Sequence, residues 1–331
     1  SAASDVYKRQ LLEVKNKDFD RLLQASFKLF LRKTGGVIRF YENAFPPVSV
    51  TGFDCELNCN HCYGYYLKHM IPAKTSEKLV KVCERLYRRG IKGVLLSGGS
   101  RKVGTFPLYL FLDAIKIIKK RFGLWIEAHT GPINYKSSFL LSKAGLDAVL
   151  PDVVGDSETV REVYGLSLKP KDYASMLNGM VKAGIRNISP HVCVGLHFGK
   201  LKGELEALKI IGSIKPTTVV ITVLMPLPGT PMGDFLVNPL DVAKIVAAAK
   251  LLFPDVPVTL GCARSKGRVK EEIEKLSVKA GVTSIAMPTK KTYETVKKSG
   301  FKVEFYGACC AVPPQPRFRL KKTVLSRLGF Q

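Results

Sequence analysis

From about residue 75 the chain alternates two apolar patterns. Segments with apolar residues three and four apart are followed by short runs that are apolar throughout. The first helical segment, 75–89, sets Leu79, Val82, Cys83 and Leu86 on one face, with Thr75 as its cap, Glu77 in its first turn and Gly90 as its stop. The run GVLLSGG (93–99) then reads as a buried parallel strand ending in a loop. The same alternation predicts helices at 107–121, 136–144, 172–184, 203–213, 240–252, 268–279 and 290–298. It predicts strands at 124–129, 147–154, 187–195, 217–224, 257–261, 283–286 and 301–306. With Val48–Phe53 as the first strand there are about eight βα units. The expected fold is therefore α/β, a (β/α) TIM-type barrel, complete or nearly complete, over residues 48–311.

Outside the barrel, the pattern predicts a helical extension at 11–47, with its helix around 17–33, and a basic, Pro-containing tail at 312–331. The tail, PPQP followed by RFRLKKTVLSRLGFQ, reads as a solvated basic end or as a binding arm. Residues 1–10, SAASDVYKRQ, resemble a translated sequencing-adapter fragment and are set aside from fold reasoning.

At 46% hydrophobic residues the chain is too apolar for disorder, and its longest uncharged stretches are broken by Pro and Gly, so no membrane span is expected. Its 52 Lys and Arg against 27 Asp and Glu give a net charge of +25, which calls for an acidic partner: nucleic acid, an acidic protein or an anionic membrane surface. Eight cysteines are too sparse for a disulfide scaffold, and no signal peptide is visible. Their clustering reads as metal chemistry in a reducing cytoplasm.

The strongest cluster is Cys55-x3-Cys59-x2-Cys62, just after the first strand, at the barrel face where active sites are built. Three thiolates on one loop hold three irons of a [4Fe–4S] cluster and leave the fourth open to an outside ligand. A zinc site completed by His61 or His69 is the alternative.

This spacing, with His61 where an aromatic residue is usual, resembles the cluster motif of the radical S-adenosylmethionine (radical SAM) superfamily. Ser97-Gly98-Gly99-Ser100, ending the second strand, is similar to that superfamily's GGE motif, with Ser100 where Glu is commoner. The resemblance implies that the open iron chelates S-adenosylmethionine. One electron then releases methionine and a 5′-deoxyadenosyl radical, which takes hydrogen from an unactivated carbon while the barrel wall shields it. DAVLPDVVGD (147–156) and the following SETVREVYG resemble the fourth strand of biotin synthase, with Asp152 and Asp156 matching its ribose contacts. Asp156 reads equally as a helix cap. HVCVGLHFG (191–199), with Gly195 in a turn near the adenine, VVITVLMPLPGTPM (219–232) and VTLGCARSKGR (258–268) resemble its next three strands.

Biotin synthase holds a second, sulfur-donating cluster in its barrel. Here Cys262 falls at an arginine ligand of that cluster, His129 near a cysteine ligand and Ser189 at another, so the pattern is broken. Cys262, Cys309 and Cys310 are the candidate ligands of a different second cluster. Cys83 reads as packing, Cys193 as packing or ligand, and His129 and His191 as substrate contacts or satisfied core residues. The runs GCARSKGR and VGDSETVREVYG are similar to the archaeal-type, two-protein lipoyl synthase, a sulfurtransferase-type enzyme. That likeness implies sulfur insertion into an octanoyl chain on an acidic lipoyl carrier protein, a second radical SAM protein as partner, and a reductant such as ferredoxin or flavodoxin. The alternatives are radical SAM modification of RNA or of a small metabolite without sulfur insertion, and a non-enzymatic iron–sulfur or zinc protein.

Overall fold

The alternating patterns become, in the computed structural model, a curved wall of parallel strands with helices outside it. The structure describes residues 16–42 and 44–321; residues 1–10 and the end of the basic tail lie outside that range. The order begins α1 (Asn16–Thr34), β1 (Val37–Tyr41), β2 (Pro47–Ser49), β3 (Ile71–Pro72), α2 (Ser76–Arg88), β4 (Gly93–Ser97), α3 (Leu112–Phe122), β5 (Trp125–Ala128), α4 (Tyr135–Ala144) and β6 (Ala148–Val149). A short α5 (Ser157–Thr159) runs into a π-helical turn, Val160–Tyr164. Then come α6 (Pro170–Lys182), β7 (Asn187–Ile188), β8 (His191–Val194), α7 (Glu204–Ile211) and β9 (Val219–Val223). The chain continues with α8 (Pro239–Leu252), β10 (Val258–Leu260), α9 (Gly267–Lys279), β11 (Ser284–Ala286), α10 (Lys290–Lys298) and β12 (Lys302–Tyr306).

Local signals set these ends. Thr75 accepts the Lys78 N–H at 3.2 Å to cap α2, and Gly123 and Gly145 end α3 and α4 in the left-handed conformation. The strands form two six-stranded parallel sheets, β3-β2-β4-β5-β6-β7 and β12-β1-β11-β10-β9-β8. β7 and β8 are halves of one strand interrupted at Ser189-Pro190, and a parallel bridge between Asp152 and His191 joins the sheets there. Proline has no N–H to give a ladder, which accounts for the break.

The wall is barrel-like but not closed: among the described residues no ladder joins β12 to β2 or β3. The free edge of β12 is covered by the returning segment 318–320. Gly307 N–H donates to Phe318 O and Leu320 N–H to Phe305 O, both at 2.8 Å, around an antiparallel Tyr306–Arg319 bridge.

Two expected boundaries shift. β1 belongs to the wall, paired in parallel with both β11 and β12, so the N-terminal extension is not helical throughout. Its alternating Ile38 and Phe40 face the helix layer, and Tyr41 faces the lumen. The tail likewise does not begin as a solvated end. Residues 308–312 turn into the lumen, where Ser189 Oγ donates to Ala311 O (2.8 Å) and Tyr41 Oη to Val312 O (3.0 Å). Phe318 then packs edge-on against Phe45 and Trp125, with ring centroids 5.4 and 6.0 Å apart. The protein thus has two apolar layers: one between wall and helices, and a smaller one inside the wall, to which 308–318 contributes alongside Tyr41, Phe45 and Trp125.

Candidate active site

The C-terminal ends of the strands gather the loops at 50–70, 98–106, 129–134, 150–156, 195–203 and 261–266 on one face. The first two are zipped together. Val50 N–H donates to Ser97 O (2.9 Å), Gly99 N–H to Thr51 Oγ1 (2.6 Å) and Glu56 N–H to Ser100 O (2.9 Å). Glu56 also takes Arg101 at 2.6 Å and the Lys102 N–H at 3.0 Å, bonds that hold its carboxyl below the usual range. Gly99 is required by contact: a Cβ there would lie 1.9 Å from Asp54 O and 2.6 Å from the Cys55 Cα. Gly98 is less tightly held, at 3.0 Å from Thr51 Oγ1.

The second half of the cysteine loop is tied to the π-helical turn after β6. Asn60 donates through its N–H to Val163 O (2.9 Å) and through its amide to Glu162 O (2.7 Å). The His61 ring stands edge-on to Tyr164, with centroids 5.4 Å apart, and its buried Nδ1 has no hydrogen-bond partner among the described residues. Between these anchors Asn58 (φ 47°) and Tyr63 (φ 42°) adopt the left-handed conformation, uncommon for a bulky residue such as Tyr63. The turn directs Cys59 and Cys62 at each other. Cys62 is held toward thiolate, first by the hydrogen bond from the Cys59 thiol and then by His61. Thiolate is the form that binds metal. Cys55 borders an open cavity of about 440 Å³ lined also by Phe53, Asn58 and Leu67. The thiol set, the buried His61 Nδ1 and the cavity beside Cys55 fit a cluster with a chelated amino-acid ligand.

The remaining expected residues divide. Asp152 is exposed at the mouth, 4.0 Å from His129 Nδ1. Asp156 caps α5: its Oδ2 accepts the Thr159 N–H (2.8 Å) and hydroxyl (2.7 Å). Gly195 is a buried turn (φ 75°) whose N–H donates to Glu204 at 2.9 Å and whose missing Cβ leaves room for Val237. Burial raises Glu204 to about 7 against the pull of those backbone donors. Cys83 is buried in the helix–wall layer, as packing requires. Cys193 is half-buried beside Thr222, and burial pushes it up to about 12.

Inside the wall, strand alternation turns Trp125, Glu127 and His129 inward. His129 and His191 stand 5.3 Å apart, and each Nδ1 faces a backbone carbonyl, Leu150 O at 2.9 Å and Ser189 O at 3.0 Å. A carbonyl only accepts, so each Nδ1 donates to it. Burial, then the neighbouring His129, lowers His191 to about 4. Cys309 and Cys310 are buried in the lumen with their thiols hydrogen-bonded to each other, Cys262 is exposed, and the buried Glu127 carboxyl is hydrogen-bonded by the Cys309 thiol and the Trp125 indole. Sequence reasoning missed Glu127, although a lone acid between apolar neighbours in WIEA was its signal. Asn60, Thr51 and Tyr164 carried no comparable mark.

Two family signatures cover most of the chain: the radical SAM superfamily matches residues 49–202, and the Biotin and Thiamin Synthesis associated domain matches residues 221–304. The biotin synthase of Neorickettsia sennetsu is 27% identical over 252 residues, covering 72% of this chain and 74% of that protein. The biotin synthase of Gloeobacter violaceus is 33% identical over 197 residues, covering 58% and 54%. In fold, a solved methylornithine synthase overlays with a TM-score of 0.63 at 16% identity, covering 89% of this chain and 92% of that one.

Proposed function

Since the chain is a biotin synthase-like radical SAM enzyme, we propose that it inserts sulfur at an unactivated carbon, in the manner of a lipoyl synthase acting on an octanoyl chain borne by an acidic carrier protein. When bound, the [4Fe–4S] cluster supplies the electron that divides S-adenosylmethionine into methionine and the hydrogen-abstracting 5′-deoxyadenosyl radical. Cys55, Cys59 and Cys62 hold that cluster. Ser97, Gly98, Gly99 and Ser100 receive the methionine end, chiefly through backbone groups. Asp152 takes the ribose hydroxyls, and the Gly195 turn borders the adenine. Asp156 supports the site by capping α5, whose continuation anchors Asn60.

The observation that supports the S-adenosylmethionine site is the contact of Gly99 with Asp54 and Cys55, which brings the glycine loop against the cysteine loop with no side chain between them, and the biotin synthase likeness supports sulfur insertion. Cys262, Cys309 and Cys310 are the proposed holders of the second, sulfur-supplying cluster. Exposed Lys102, Lys200 and Lys266, on three loops of the mouth, support an acidic docking partner. Radical SAM enzymes draw their electron from a reductant such as ferredoxin or flavodoxin.

The test is anaerobic incubation of the reduced, cluster-loaded protein with S-adenosylmethionine and an octanoylated carrier domain. Formation of 5′-deoxyadenosine together with a mass gain of sulfur on the carrier supports the reading. 5′-Deoxyadenosine without added sulfur overturns the substrate assignment, and its absence overturns the reading as a whole.

A further inference from the structure

We propose that His61 Nδ1 donates a hydrogen bond to a sulfur of the cluster held by Cys55, Cys59 and Cys62, and thereby eases that cluster's reduction. The inference rests on the reading of those three thiolates as the cluster's holders. It gives a role to a side chain that the cysteine spacing leaves open. His61 stands between two of the ligands. The Cys62 and Tyr63 N–H groups both donate to Cys59 O at 3.0 Å, so Cys59 to Cys62 is one tight turn with His61 inside it. Its buried Nδ1 has no hydrogen-bond partner among the described residues. A buried ring nitrogen without a partner is costly, and it points to a partner that the chain itself does not supply.

The ring is held where it is. Asn60, its neighbour in the chain, is bonded to Val163 O at 2.9 Å and to Glu162 O at 2.7 Å. Those bonds keep His61 edge-on to Tyr164, with ring centroids 5.4 Å apart. A phenyl ring makes the same edge contact, so packing on Tyr164 does not call for a nitrogen here. The imidazole also favours negative charge on the adjacent ligand. Cys62 is held toward thiolate by the hydrogen bond from the Cys59 thiol first, against burial, and then by His61. Thiolate and inorganic sulfide carry no proton and only accept, which makes Nδ1 the donor.

The electrostatic consequence has a definite sign. Reduction adds one negative charge to the cluster, and an N–H dipole aimed at its sulfur stabilises the reduced form more than the oxidised one. One electron passes from the external reductant to the cluster, and the proton stays on Nδ1.

The full-length protein, reconstituted anaerobically with iron and sulfide, tests this by the midpoint potential of the cluster, followed by electron paramagnetic resonance without S-adenosylmethionine. The signal missing from Cys62→Ala identifies the cluster. His61→Phe keeps a ring against Tyr164 and removes the donor. It should make reduction about tenfold less favourable, a fall of about 59 mV for one electron. His61→Asn keeps an N–H close to the Nδ1 position and should recover most of that shift. In wild type carrying histidine enriched in heavy nitrogen, pulsed spectra of the reduced cluster should show a coupling to histidine nitrogen that His61→Phe lacks. Wild type without that coupling overturns the proposal, as does a His61→Phe cluster with the wild-type potential. Should His61→Phe hold no cluster, the wild-type coupling alone decides. A shift or coupling that appears only after S-adenosylmethionine is added places Nδ1 on that cofactor and overturns the proposal too. Wild type that takes up no cluster at Cys55, Cys59 and Cys62 overturns the underlying reading, and the role of His61 falls with it.

Discussion

Gly99 and Cys55 are in backbone contact: the position a Gly99 Cβ would occupy is 2.6 Å from the Cys55 Cα and 1.9 Å from Asp54 O. The neighbours are main chain, so a methyl group there has no flexible side chain to push aside. Gly99→Ala should separate the two loops and lower 5′-deoxyadenosine formation by about a hundredfold, the scale expected for a displacement near 1 Å. Gly98→Ala meets the Thr51 hydroxyl at 3.0 Å and should be milder. Rates measured beside iron content distinguish lost geometry from lost cluster.

His191 should make the fold acid-sensitive. Its pKa is lowered from 6.5 to about 4 by burial and by His129, against the pull of Asp152 and the Ser189 carbonyl. Between those values the unfolded chain binds a proton that the folded chain refuses, so stability falls as pH drops through that window. The loss is on the order of 3 kcal/mol. His191→Asn keeps a donor toward Ser189 O and does not titrate. Its thermal midpoint should change less than that of wild type between pH 6.5 and 4.

Phe318→Ala should destabilise the protein by about 3–5 kcal/mol, the usual range for a buried aromatic residue. The ring is 2% exposed and lies against Phe45 and Trp125. Denaturant unfolding gives the magnitude, and a solvated tail would give no change.

Charge reversal at the mouth tests the docking surface. Lys102→Glu, Lys200→Glu and Lys266→Glu together should raise the KM for an acidic carrier domain and flatten its salt dependence. Uncoupled cleavage of S-adenosylmethionine should stay unchanged. An equal fall in both activities would point to damage at the site instead.

The βα alternation was legible because each helix and strand announces its own period: predicted 240–252 is observed as Pro239–Leu252, and 290–298 as Lys290–Lys298. Features that depend on distant partners were not legible. β1 has an ordinary strand sequence, and only its pairing with β11 and β12 puts it in the wall. Residues 312–318 read as the start of a basic tail, since Pro and Arg there mask the single aromatic residue that fills the lumen. At the site, cysteine spacing and the Ser-Gly-Gly-Ser run marked two loops. The bonds from Asn60 to a turn about a hundred residues later had no local signature.

The lumen filling has a consequence for how the chain folds. Trp125 and Phe318, which pack together, are separated by more than half the sequence, and β1 pairs only with strands made near the opposite end. The lumen faces of the early strands therefore have nothing to pack on until the last segment arrives. Such long-range closure makes assembly slow and leaves apolar inner faces uncovered meanwhile. The same delay separates the two groups of cysteines. Cys55, Cys59 and Cys62 lie on one loop beside the first strands, whereas Cys309 and Cys310 enter the lumen only after the last strand, β12, is in place.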